Sequence, residues 1–130
     1  MSFFQSIFTF RNSTPNRISK AEVELAISLK NEARQLAAKA DEEMSNGRTT
    51  QTLALKATVK DKARIFAEIT IWHNTRAAEK YRQAAERFTE AGKIQTARRK
   101  AFNLKAAELT RRAAKAKAVV KRMNEFLTQN

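Results

Sequence analysis

The fold turns on residues 62–91, KARIFAEITIWHNTRAAEKYRQAAERFTEA. Phe66, Ile69, His73, Ala77, Ala84, Phe88 and Ala91 recur there at three-, four- or seven-residue steps, with Arg76, Lys80, Arg82, Glu86 and Arg87 elsewhere around the cylinder. That spacing is one apolar face of a helix, and the alanines within it let a second helix come close. Upstream, Ile18, Leu25, Leu29, Leu36, Ala40 and Met44 trace a similar face, predicting a helix from about 15 to at least 45. Thr14 and Pro15 suit its cap and first turn. Downstream, Leu104, Ala107 or Ala113, Val120, Met123 and Leu127 predict a further helix over about 98–128.

Only two glycines and one proline interrupt the 130 residues. The remainder is rich in residues that lose little conformational freedom in a helix. The expected architecture is all-α, a long antiparallel hairpin over about 14–97 followed by a third basic helix, elongated and polymer-forming. Leu25, Leu29, Leu36, Phe66, Ile69, Ala77, Ala84 and Phe88 are the expected hairpin core. Two stretches compete for the first bend, 45–50 around Gly47 and 58–61, and local signals do not choose between them. Gly92, inside a helical pattern, is either absorbed by a long helix or a hinge.

Chemistry-bearing motifs are sparse. With no cysteine, disulfides and thiolate metal sites are excluded. His73 is the single histidine, and its place on the apolar stripe makes it a packed or hydrogen-bonded core residue rather than a catalyst. No glycine-rich phosphate loop accompanies it, and no nucleophile–base pair. The reading is a protein that is not an enzyme and takes no cofactor or metal. Asp41, Glu42 and Glu43 project to several faces and read as solvated charge, while Trp72 is either an interface anchor or a buried aromatic.

Charge is the stronger signal. The chain carries a formal +13, and residues 98–130 hold ten basic against two acidic side chains. Such an excess calls for an acidic partner: anionic lipid, nucleic acid or an acidic protein segment. Arg98, Arg99, Lys100, Arg111, Arg112, Lys115, Lys121 and Arg122 are the candidate contacts to a neighbouring subunit or a polyanion, being too many to be neutralised along their own helix. At the other end, residues 1–13 form a separate Phe-rich segment. Phe3, Phe4, Ile7, Phe8 and Phe10 would make the apolar face of a short membrane-inserting helix, or else an arm packing on the body or on a neighbouring subunit. Arg11, Arg17 and Lys20, with Lys30, Arg34 and Lys39, would then meet lipid headgroups. No stretch has the roughly 20 apolar residues of a spanning helix, so a cytoplasmic, peripheral membrane protein is expected.

Taken in order, these pieces resemble the ESCRT-III family of membrane-remodelling proteins. The resemblance is carried by Met1-Ser2-Phe3-Phe4, Ile7-Phe8 and Thr14-Pro15 at the start. Further on it is carried by Ala63-Arg64-Ile65-Phe66-Ala67-Glu68 and Lys93-Ile94-Gln95-Thr96, in one register over residues 14–95. It implies a first bend near 58–61. It also implies a cytosolic protein that passes from a closed monomer to an open form. The open form would polymerise, alone or with other ESCRT-III subunits, on endosomal or other anionic membranes and constrict or sever them. The family's AAA ATPase contact is carried by an acidic C-terminal half, so it applies only if such a tail extends beyond Asn130. A basic helical nucleic-acid-binding or virion-packaging protein is the alternative.

Overall fold

A computed structural model describes residues 18–129, and these fold into helices with no strand among them. Helix α1 runs Lys20–Lys56, α2 runs Lys60–Ile94, a single 3-10 turn spans Thr96–Arg98, and α3 runs Arg99–Gln129. At 1.5 Å per residue α1 is about 55 Å long. α1 and α2 form the antiparallel hairpin, and α3 returns along α2, so α2 is the shared spine of an up-down-up arrangement. α1 and α3 run in the same direction and touch each other little.

The helix starts at a cap other than Thr14. Ser19 holds an extended backbone, its hydroxyl accepts from the Glu22 amide at 3.1 Å, and its own amide donates to the Glu22 carboxylate at 2.9 Å. This reciprocal pair satisfies two donors that the first turn leaves open. The first bend falls at residues 57–59, between α1 and α2. Gly47 therefore lies inside α1, and the 45–50 alternative is set aside. Gly92 likewise stays helical, two residues before α2 ends.

Why the hairpin holds is visible in a strict seven-residue repeat of small side chains. Ala26, Ala33, Ala40, Gly47 and Ala54 are buried along α1, and Ala63, Thr70, Ala77, Ala84 and Ala91 along α2. A seven-residue period keeps one seam facing the partner for the whole helix length. Small residues at each repeat let the two backbones close on one another. On α3 the corresponding buried set is Phe102, Leu109, Ala116 and Met123, with Ala106 and Ala113 beside it. The larger side chains cap the alanine seam from α3's side.

Of the expected hairpin core, Leu29, Ala77, Ala84 and Phe88 are buried in the main cluster, and Leu25 and Leu36 pack against it half-buried. Phe66 packs half-buried on a second cluster formed by Ala54, Ala67 and Met123 near the bend. Ile69 is a correction, since it is 37% exposed. The seam position is taken by Thr70, one residue and about 100° further round the helix. Thr70 and Asn74 are polar yet fully buried because they are bonded. The Thr70 hydroxyl lies 2.7 Å from that of Thr50 and 2.8 Å from the Phe66 carbonyl, and Asn74 Nδ2 donates to the Thr70 carbonyl at 2.9 Å. These bonds form a polar layer between the two apolar clusters.

Candidate functional site

One end of the bundle gathers the start of α1, the end of α2, the 3-10 turn and the start of α3. There Lys30 and Arg34, one turn apart on α1, face cations from the far side of the chain. Arg34 first, then partial burial, then Arg98 and Lys105 make protonation of Lys30 harder, and its pKa is held below the ordinary lysine value. Lys30 thus lies close enough to three cations, one on its own helix and two across the bundle, to be repelled by each. None of the four is ion-paired among the described residues. The Lys105 ammonium stands 5.6 Å from the centre of the Phe88 ring, a cation–π contact that aims it across the bundle.

Between α1 and α3 at this level runs an open groove of about 440 Å³. Its floor is the Phe88 ring from α2, Arg34 and Ala37 stand on one wall, and Lys105 and Leu109 on the other. Further along, the groove changes character. Arg112 reaches over from α3 to Asp41 of α1 at 3.3 Å, and its Nε donates to Glu108 at 3.2 Å. The same Asp41 oxygen accepts the Tyr81 hydroxyl of α2. Burial first, and the Asp41 carboxylate second, push the Tyr81 hydroxyl well above its ordinary pKa, so it stays a donor. Asp41 therefore ties all three helices together, and this stretch of the groove is internally neutralised.

Along α3, Arg111 and Arg112 share the single carboxylate of Glu108, Arg111 at 2.8 Å. One expectation from the sequence is corrected here, because the acidic trio is not merely solvated: Asp41 binds across the bundle, and Glu43 accepts from His73 Nδ1 at 3.0 Å and lies 3.5 Å from Arg76. Only Glu42 of the three is an exposed side chain without such a contact. His73 is the hydrogen-bonded, half-buried residue its stripe implied. Trp72 is 54% exposed, its ring 4.7 Å from the Arg76 guanidinium, and with Ile65 and Ile69 it makes an exposed apolar stripe near the bend.

The remaining candidates fall into distinct groups. Phe3, Phe4, Ile7, Phe8, Phe10, Arg11 and Arg17 lie outside the described residues. Lys20 opens α1 exposed, and Lys39 is exposed on the same helix. Arg99 has a structural role, its Nε donating to the Gly92 carbonyl at 3.4 Å. Lys100, Lys115, Lys121 and Arg122 are exposed along α3. Thus the structure brings together Lys30 and Arg34 with Arg98 and Arg112, residues assigned from sequence to two separate surfaces. Lys105 was missed, although Arg98, Lys105 and Arg112 recur every seven residues and so fall on one stripe.

Among the described residues no group of side chains is arranged to hold a metal ion, and no helix is long and apolar enough to cross a membrane. Compared with known protein families, curated proteins and solved structures, the chain matches none.

Proposed function

We propose that this chain is a non-enzymatic helical scaffold of the ESCRT-III kind, which assembles on anionic membranes and bends them. The observation that carries the reading is one of placement. Lys30, Arg34, Arg98 and Lys105 gather in the half of the bundle where α1 starts, and the Phe-rich residues 1–13 precede that helix in sequence. Apolar insertion and headgroup attraction then act on the same patch of bilayer. Each cation near an anionic leaflet contributes about 1 kcal/mol, which is weak for one copy and strong for an array of copies. The peripheral, cytoplasmic-face location follows from the same reading. On this reading α3, packed back on α2, is the closed form, and its release would free the face of α2 that it covers for neighbouring subunits.

The test is sedimentation with phosphatidylserine and with phosphatidylcholine vesicles at physiological salt, the pellets viewed by negative-stain electron microscopy. Pelleting with the anionic vesicles alone, with coats or tubes, and its loss on deletion of residues 1–13 support the scaffold. Failure to pellet, alongside salt-sensitive binding to DNA or RNA, overturns it in favour of a nucleic-acid-binding protein.

A further inference from the structure

The groove between α1 and α3 presents cations from both of its walls. Arg34 stands on one wall and Lys105 on the other, Lys30 and Arg98 stand near them, and no carboxylate among the described residues pairs with any of the four. The acidic side chains that line the groove, Asp41 and Glu108, are already engaged by Arg112. Like charges on facing helices push the first turns of α3 away from α1. Against that push, the ion pair that joins the two helices directly is Arg112 to Asp41. Among the described residues the rest of α3's packing is mainly on α2.

We propose that this groove binds one compact polyvalent phosphoryl group, of the inositol polyphosphate class, and that the bound anion clamps α3 to α1. The proposal deepens the membrane-scaffold reading and rests on it where the phosphoryl group is borne by a lipid. Three features select the ligand. Arg34 and Lys105 line the groove from facing helices, and Lys30 and Arg98 stand near it, so the cations come from three chain segments, with Lys30 and Arg34 about 6 Å apart along α1. That suits a compact ion more than an extended peptide or nucleic-acid strand, whose charges recur along a line. A single negative charge cannot reverse repulsion among four cations, whereas several phosphates on one ring can. At about 440 Å³ the groove is also of ordinary size for a small-molecule site. With the clamp in place the chain is held closed, and without it the repulsion favours the open form.

Isothermal titration with myo-inositol hexakisphosphate at 0.15 M salt tests the site, with helical content checked by circular dichroism. One-to-one saturable binding is expected. Arg34→Glu with Lys105→Glu should weaken it by about 100-fold or more, since two attractions become repulsions. Lys115→Glu with Lys121→Glu, an equal change of charge away from the groove, should weaken it less than about threefold, a limit set by screening over the Debye length. Equal losses from the two double variants, or no saturable binding, overturn the site. The chain has no cysteine, so spin labels at Gln35→Cys and Asn103→Cys report the α1–α3 separation alone. A distance distribution that narrows with the ligand supports the clamp, and an unchanged one overturns it. Vesicles carrying phosphatidylinositol bisphosphate, compared with phosphatidylserine vesicles of equal charge, assign the source. A preference abolished by Arg34→Glu with Lys105→Glu makes the ligand lipid-borne, and titration without that preference makes it a free solute. Phosphatidylserine vesicles that pellet while titration shows no binding sink the clamp and leave the scaffold standing. The reverse pattern sinks the scaffold alone.

Discussion

Gly47 on α1 and Asn74 on α2 approach so closely that a methyl group at Gly47 would stand 2.6 Å from Asn74 Nδ2. Glycine inside a helix costs about 1 kcal/mol relative to alanine, so the position is occupied against local preference. The gain is the buried amide. A side chain at position 47 would press on the Asn74 amide that donates to the Thr70 carbonyl. Gly47→Ala in the native chain should lower stability by about 1 kcal/mol, the helix gain being outweighed by displacement of a buried donor. With Asn74→Ala already present the sign should reverse, and Gly47→Ala should stabilise by about 1 kcal/mol. A double-mutant cycle by urea denaturation reads both, and an unchanged sign would refute the close-approach argument.

Asp41 joins the buried Tyr81 hydroxyl to the half-exposed Arg112, and the two contacts differ in worth. An ion pair open to solvent contributes little, whereas a buried hydroxyl stripped of its acceptor costs about 1–3 kcal/mol. Tyr81→Phe, which removes donor and demand together, should cost about 1 kcal/mol or less. Asp41→Ala should cost about 2 kcal/mol, with the urea m-value unchanged. Arg112→Ala should cost least, because Asp41 keeps Tyr81. Should Asp41→Ala prove milder than Tyr81→Phe, the three-helix tie does not carry the stability assigned to it.

Glu43 supplies a pH dependence. Burial opposes its ionisation, yet the hydrogen bond from His73 and the charges of Lys80, His73 and Arg76 prevail, and its folded pKa lies below the ordinary 4.5. The native state therefore binds fewer protons here than the unfolded chain does. Its contribution is complete above 4.5, shrinks as the pH falls below that value, and is gone once the pH is below the folded pKa. Glu43→Gln should cost about 1 kcal/mol at neutral pH, and the difference from the native chain should close on acidification. Urea midpoints at pH 7, 5 and 3.5 decide it, a constant difference being the adverse result.

Much of this architecture can be read from the residues, and the parts that cannot have physical causes. Low glycine and proline content and the stripe from Phe66 to Ala91 are enough for three helices. The bend needs more, because Gly47 looks like a break until its partner is known. The cap was legible, since Ser19 followed by Glu22 at three residues is a capping box, but Pro15 is the louder signal. The hairpin face was read one position off at Ile69, because apolar residues draw the eye and the seam is built from alanine, glycine and bonded polar side chains. As for the site, the cations were visible individually. Their meeting was not, because Lys30 and Arg34 lie more than 60 positions from Arg98 and Lys105, and only the return of α3 along α2 joins them.

If the seven-residue seam of small side chains sets the hairpin, size at those positions must matter more than hydrophobicity elsewhere on the same helices. Ala40 is fully buried on α1, opposite the α2 repeat, and has no room to grow. Ala40→Leu adds apolar surface yet should destabilise by about 1–3 kcal/mol, because the helices must separate or leave their preferred rotamers. Ile69→Ser removes a large apolar side chain that already faces water for more than a third of its area, and should cost less than about 1 kcal/mol. A hydrophobic core ordered by large residues would give the opposite ranking. Thermal melts of the two variants therefore discriminate directly, and a greater loss from Ile69→Ser would mean that the alanine repeat is incidental to the pairing of α1 with α2.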